Sequence, residues 1–265
     1  MKICCEPTIA FEFTMNLSNL PTWFQPRCLS LVVAVLFAAG GRSFAAAADV
    51  PLPLKLPLPS FIGTPDDLPK GEHIEPPKDK PRAVMLAPNG VWNVALNRKV
   101  ISSDKNPISG NMSQITDGIK EAVEDNIVEL HKNVQWVQID LENDYDICAV
   151  VLWHNFREMQ FCRCVVVQAA DDPDFTVNVR TFFNNDYENI AGLGLGKDKQ
   201  YFETHEGKLI VTKGAKARYL RFYSKGSNVS ALNYYTEIEV WGLRSTAADV
   251  SLAPLSLELP MPGFK

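Results

Sequence analysis

The stretch Ala231-Leu-Asn-Tyr-Tyr-Thr-Glu-Ile-Glu-Val-Trp-Gly242 reads as one β-strand that closes a domain. Ile238 and Val240 fall on one face, Glu237, Glu239 and Trp241 on the other, and Gly242 ends the run. Period two with one apolar face marks a half-buried strand. The strand starts with a carboxylate, Glu237, next to a polar loop. Upstream, Gln114-Ile-Thr-Asp-Gly118 is an Asp-Gly turn with a second carboxylate, Asp117. Two such features bracketing a β-rich segment suggest a β-sandwich closed around a cation and do not suggest a catalytic centre.

Between these landmarks the pattern is all-β. In Trp136-Val-Gln-Ile-Asp-Leu141, Val137, Ile139 and Leu141 share a face. Ile147 to Trp153 is a continuous apolar run, as in a strand buried on both faces. Cys164-Val-Val-Val-Gln-Ala-Ala170 is another, followed by the turn Asp171-Asp-Pro-Asp174. Leu209-Ile-Val211 and Ala217-Arg-Tyr-Leu-Arg-Phe-Tyr223 add two more. Short strands separated by Gly, Asn and Asp loops predict a β-sandwich over residues 89–244, long enough to bury a stable core without disulfides. One short helix is compatible with the spacing of Ile119, Val123, Ile127 and Leu130.

The flanks read differently. Arg27, an apolar run from Leu29 to Ala39 and the small residues Ser43-Phe-Ala-Ala-Ala-Ala48 predict a secretory signal over 1–48, with Met15 a candidate start. The apolar run falls short of the roughly 20 residues a membrane span needs. An uncleaved anchor is the alternative; with cleavage no membrane span remains, and the protein is expected to be secreted or periplasmic. Residues 49–88, with Pro51-Leu-Pro-Leu-Lys-Leu-Pro-Leu-Pro59, predict an extended Pro-rich linker, and 245–265 a flexible tail; docking of either on the domain through its Leu residues is the alternative.

The 265-residue chain is 46% hydrophobic with a net charge of −5, so no basic footprint for nucleic acid is present. Beyond the signal only Cys148, Cys162 and Cys164 remain, which allows at most one disulfide. Cys162 and Cys164 share a face of the expected strand and are poorly placed to pair with each other. Cys148 pairing with one of them, or three buried thiols, are both open. No His-x-x-His or Cys-x-x-Cys is present, so the spacing does not predict zinc. Gly-x-Ser-x-Gly and His-Glu-x-x-His are absent too, and no enzyme is expected. Glu203-Thr-His-Glu206 is read as an exposed polar strand edge.

Five segments occur in the order seen in discoidin-like domains: Asn93–Ser103, Gln114–Gly118, Gln135–Leu141, Ala217–Tyr223 and Thr236–Gly242. The 89–244 region therefore resembles that family, also called coagulation-factor C-type or galactose-binding-like, which includes the family 32 carbohydrate-binding modules. The resemblance implies a jelly-roll β-sandwich, ligand-binding loops at one end, and often a structural Ca²⁺. It would place Asp117, Glu237 and a carbonyl of the Gln114 region around that ion. The family's Thr-x-Trp after the Asp-Gly is missing, because Ile119–Val128 contains no Trp. An ordinary Asp-Gly turn, with Glu237 exposed, is the alternative.

For ligand binding, His154, Asn155, Phe156 and Arg157 gather donors and an aromatic ring in four residues, and sugars use both hydrogen bonds and stacking. Trp153 and Phe156 read equally well as core, and His154 as a strand-end cap. Phe182-Phe-Asn-Asn-Asp-Tyr187 offers a second set, with Asn185 as a polar contact and Tyr187 as a platform, or else a polar turn. Ser224–Asn228, ending in Asn228, is a third wall. The expected function is a secreted, non-catalytic module recognising carbohydrate on a polysaccharide or cell surface. A structural or protein-interaction domain without a sugar site is the alternative.

Overall fold

The computed structural model describes residues 49–61, 69–76, 78 and 80–245. The expected signal segment 1–48 and the chain beyond Ser245 lie outside these residues. The strands are β1 (Val50–Pro51), β2 (Leu86–Ala87), β3 (Trp92–Asn93), β4 (Val100–Ser102), β5 (Val128–Leu130), β6 (Gln135–Trp153), β7 (Val166–Ala170), β8 (Arg180–Asn184), β9 (Lys208–Ser224), β10 (Asn233–Tyr235) and β11 (Glu237–Arg244). They make an antiparallel β-sandwich, with 3₁₀ turns at Met112–Thr116 and Glu124–Asn126.

The architecture follows from two long strands that turn a corner. The sequence suggests separate strands at 136–141 and 147–153; the chain instead runs through both as the 19-residue β6. Its first half lies between β4 and the end of β9, with Ile139 opposite Val100 and Leu220. Its second half lies between β11 and the start of β9, with Val150 opposite Val240 and Ile210. The register shifts between Asp140 and Tyr145, where Glu142 has φ +67°. A bulge bends a strand and sharpens its twist. Both halves can therefore point residues into one core: Ile139 and Leu141 from the first, Val150 and Leu152 from the second, with Val167, Phe222 and Ile238. β9 likewise joins the two strands expected at 209–211 and 217–223. β7 pairs with β9, and β8 with β7, on the far side of the sheet.

The stretch Ala231–Gly242 is split rather than continuous. β10 pairs with β5, whereas β11 pairs with β6 and β3. Thr236 makes the break: its N–H donates to Trp153 O at 2.9 Å and its hydroxyl to His154 O at 2.9 Å. β11 is buried on both faces, not one. Ile238 and Val240 enter the main core, while Trp241 joins a second apolar cluster with Ala149, Val151 and Trp153. The helix compatible with 118–130 is absent among the described residues. Ile119 and Val123 are exposed, and Val128–Leu130 is spent on pairing with β10.

The Pro-rich segment docks on the domain through its Leu residues, as the alternative had it, rather than hanging free. β1 and β2 pair antiparallel, and Leu52 N–H donates to Met85 O at 2.8 Å. Leu52 and Ala87 bury against the second cluster, with Leu54 and Met85 packed beside them. The alternation of Pro with Leu leaves the Leu side chains free to dock while Pro limits the entropy lost on ordering. Burying a Leu side chain is worth about 1.5–3 kcal/mol, enough to hold a short strap. Further along, Arg82 donates to Glu206 and to Gly207 O, and Glu75 pairs with Lys208.

Candidate functional site

The described structure brings the second and third expected ligand sets together, and leaves the first out. A cleft of about 460 Å³ is walled by Asn185, Asp186, Tyr187 and Glu188 after β8, and by Arg163, Lys225, Gln200 and Ile74 from other segments. A neighbouring cleft of about 350 Å³ shares Arg163 and Lys225 and adds Lys132 and Asn228. Arg163 and Lys225 are set opposite each other by two backbone bonds, Arg163 N–H to Gly226 O at 2.9 Å and Lys225 N–H to Arg163 O at 2.8 Å.

Asn185 builds the wall. Its Oδ1 accepts the Val165 N–H at 2.7 Å and its Nδ2 donates to Cys162 O at 3.5 Å. Asp186 Oδ2 accepts the Ala191 N–H at 2.7 Å, closing the loop that carries Tyr187. Tyr187 stays 37% exposed. Its ring stacks on His73, with centroids 4.1 Å apart and planes 6° from parallel. The expected spacer thus supplies part of the cleft. It is tied there by Gln200 N–H to His73 O at 2.8 Å and Glu75 N–H to Gln200 O at 2.7 Å. Asn228 is half-buried and accepts the Phe161 N–H at 2.9 Å, so its carbonyl oxygen positions the loop.

The 154–157 set does not form a binding surface. His154 is 1% exposed and its Nδ1 shares a hydrogen bond with Glu203 Oε1 at 2.7 Å. Phe156 is buried in the second cluster, as is Trp153, whose Nε1 donates to His205 O at 2.9 Å. Asn155 caps its own turn by accepting the Arg157 N–H. Of the four, only Arg157 is exposed at the surface, and it is not part of either cleft. A β6 buried on both faces carries its apolar run past Trp153, which the clustering of polar residues masked. Glu203, expected on an exposed edge, is fully buried.

Among the described residues the cysteines Cys148, Cys162 and Cys164 are free thiols. Cys162 and Cys164 do not share a strand face. Cys162 bridges to Ser227 and enters the main core, while Cys164, at φ +52°, lines the cleft. Burial, and then the Asp186 carboxylate, push the Cys164 thiol up to about 12, so it presents no thiolate to a ligand.

Glu237 reaches the backbone of the Asp-Gly turn. The Gly118 N–H donates to Glu237 Oε1 at 3.2 Å, and Asp117 Oδ1 accepts the Ile119 N–H at 2.8 Å, an Asx turn. Glu237 is fully buried, against the exposed alternative, and its Oε2 has no partner among the described residues. Burial first, and the Glu239 carboxylate second, push the Glu237 carboxyl up to about 10. Glu239 itself is paired with the Lys120 ammonium at 2.5 Å and accepts the Trp241 Nε1–H at 3.0 Å. The Gln114 side chain is engaged at both ends, accepting the Asn111 N–H and donating to Asp125 O, so it can offer a cation only its main-chain carbonyl.

No family model matches the chain, and no curated protein matches it. Among solved structures it is similar to a family 89 glycoside hydrolase from Clostridium perfringens in complex with PUGNAc, at 14% identity and a TM-score of 0.44, over 58% of this chain and 15% of that one. It is similar to chitosan-binding module 1 from a chitosanase/glucanase of Paenibacillus sp. IK-5, at 18% identity and a TM-score of 0.41, over 57% and 99% of the two chains. It is also similar to a fucose-binding module of Streptococcus pneumoniae, at 16% identity and a TM-score of 0.42, over 56% and 96%.

Proposed function

We propose that this chain is a secreted or periplasmic, non-catalytic module that binds carbohydrate in the cleft between Tyr187, Arg163 and Lys225. The observation that carries this reading is a partly exposed aromatic ring set in a polar cleft whose walls are rigidly tied. A sugar needs a ring face for its apolar side and fixed donors and acceptors for its hydroxyls. Arg163, Lys225 and Gln200 supply donors; Glu188 and Gln200 supply acceptors. Opposite charges balance in this cleft, which suits a neutral polyol. The neighbouring cleft is lined by Lys132, Arg163 and Lys225 with no carboxylate, which suits an acidic substituent on an adjoining sugar.

The reading includes a structural Ca²⁺ held by Asp117 and Glu237. A buried carboxylate with one oxygen unpartnered, close to a second carboxylate, fits a hard cation that prefers oxygen ligands. When bound, the ion would supply charge neutralisation and tie the Asp-Gly turn to the start of β11.

A glycan array of neutral and acidic oligosaccharides tests the binding. Binding of the full chain, lost in Arg163→Ala and Tyr187→Ala but kept in Arg157→Ala, supports the cleft. Binding that survives the first two and fails in the third would move the site to the loop after β6. Melting with Ca²⁺ and with chelator tests the ion: a rise with Ca²⁺ that disappears in Asp117→Ala is expected, since a ligand of the native state stabilises by mass action.

A further inference from the structure

Three side chains that share no local motif converge in the core. His154 follows β6. Cys162 and Glu203 are brought side by side by the antiparallel bridge between Phe161 and Phe202, reinforced by Glu203 N–H to Gln160 O at 2.8 Å. One nitrogen, one sulfur and one carboxylate oxygen, one from each residue, all lie within 4.8 Å of one another, and all three residues are buried. The geometry points to a buried transition-metal site: we infer that His154, Cys162 and Glu203 bind Zn²⁺.

The donor set selects the ion. Imidazole, thiolate and carboxylate together suit Zn²⁺, whereas Ca²⁺ takes oxygen alone. Tetrahedral zinc with bonds of about 2.0–2.3 Å holds its ligands roughly 3.3–3.8 Å apart, so atoms within 4.8 Å of one another need to shift by no more than about 1.5 Å. The polar atoms around the centre are also left over. His154 Nε2, Glu203 Oε2 and the Tyr201 hydroxyl are buried with no hydrogen-bond partner among the described residues. Buried polar atoms in native proteins are normally paired, and each orphan is costly. A carboxylate bound through both oxygens would use Oε2 and complete four donors with the imidazole and the thiolate.

Zinc would replace the proton on the Cys162 thiol, which burial and then Glu203 keep well above its usual range. That proton goes to solvent, the imidazole keeps its one N–H on the ring nitrogen that does not bind the metal, and every oxidation state is unchanged. The ion would staple the end of β6 to the segments carrying Phe161 and Gln200, two walls of the cleft. The site does not depend on what the cleft binds.

The test uses the full chain, unfolded in reductant and chelator and refolded with one equivalent of Co²⁺ or Zn²⁺. With Co²⁺ we expect the thiolate charge-transfer band and visible bands of a four-coordinate ion. They should be absent in Cys162→Ser and present in Cys148→Ser and Cys164→Ser. X-ray absorption of the zinc-loaded wild type needs no variant and should show one sulfur at about 2.3 Å with nitrogen and oxygen neighbours. A wild type that takes up no metal, a shell without sulfur, or a band lost only in Cys164→Ser would overturn the assignment.

Discussion

Gly207 and Gly214 give a matched pair for testing the packing. Both have positive φ, +63° and +76°. An Ala at either position must adopt a left-handed backbone, at about 1–2 kcal/mol. They differ in what the new methyl meets. At Gly214 nothing lies within 4 Å. At Gly207 a Cβ would sit 2.6 Å from Trp153 Cε2, 2.7 Å from Nε1 and 2.8 Å from Cδ2, against an ordinary carbon contact of about 3.5–4.0 Å. The Trp153 ring cannot retreat cheaply, because it is fully buried and its Nε1 is bonded to His205 O. Overpacking of this kind costs about 1–3 kcal/mol. Gly207→Ala should therefore be less stable than Gly214→Ala by about that amount. At roughly 2–4 °C per kcal/mol for a domain of this size, the melting points should differ by about 2–12 °C. Parallel thermal and urea melts of the full chain read this directly. Equal midpoints for the two variants would refute the packing of Trp153 against Gly207.

Leu52→Ala should cost about 2 kcal/mol and make the 49–61 strap a preferred site for limited proteolysis, because Leu52 packs on the second cluster. An unchanged cleavage pattern would restore the flexible-spacer reading. Asp140 makes a two-point contact with Arg218, at 2.8 and 2.9 Å, that lowers its pKa below the ordinary 3.8. The pair is partly exposed, so Asp140→Asn should cost only about 0.2–1 kcal/mol at neutral pH. A depressed carboxylate stabilises the fold above its unfolded value. The difference between wild type and variant should thus hold near neutrality and vanish as the pH falls below 3.8 through the lowered folded value; a difference that grows in acid would contradict the pairing. Tyr187→Ala should weaken glycan binding about 5–10-fold, the worth of one aromatic contact of about 1–1.4 kcal/mol, with a small fall in melting point from the lost stack on His73. Full affinity in that variant would remove the platform role.

Sequence patterns register local periodicity, and the parts of this protein that obey it were legible. Ile147–Trp153 is a strand buried on both faces, and Val166–Ala170 and the run after Ala217 are strands too. What the pattern misses is set by tertiary contact. The bulge at 140–145 joins two runs into one strand, and pairing with β10 takes Val128–Leu130 out of a helix-like spacing. The Leu residues of the Pro-rich segment have partners only once the outer face of β6 and β11 exists. Asn185 and Tyr187 line one cleft, and residues of the 224–228 loop line both. Arg163, however, lies between two cysteines in what reads as an apolar strand, and gave no signal of its own. His154 looked like a surface donor because its neighbours are polar. Its partner Glu203 lies 49 residues away, beyond the reach of any local spacing.

The most direct test of the carbohydrate-binding account is backbone chemical-shift mapping of the isotope-labelled protein during titration with the strongest glycan from the array. The account predicts saturable shifts concentrated at Asn185–Glu188, Arg163 and Lys225, with His154 and Phe156 unmoved. Shifts centred on the loop after β6, or none at saturating sugar, would contradict it.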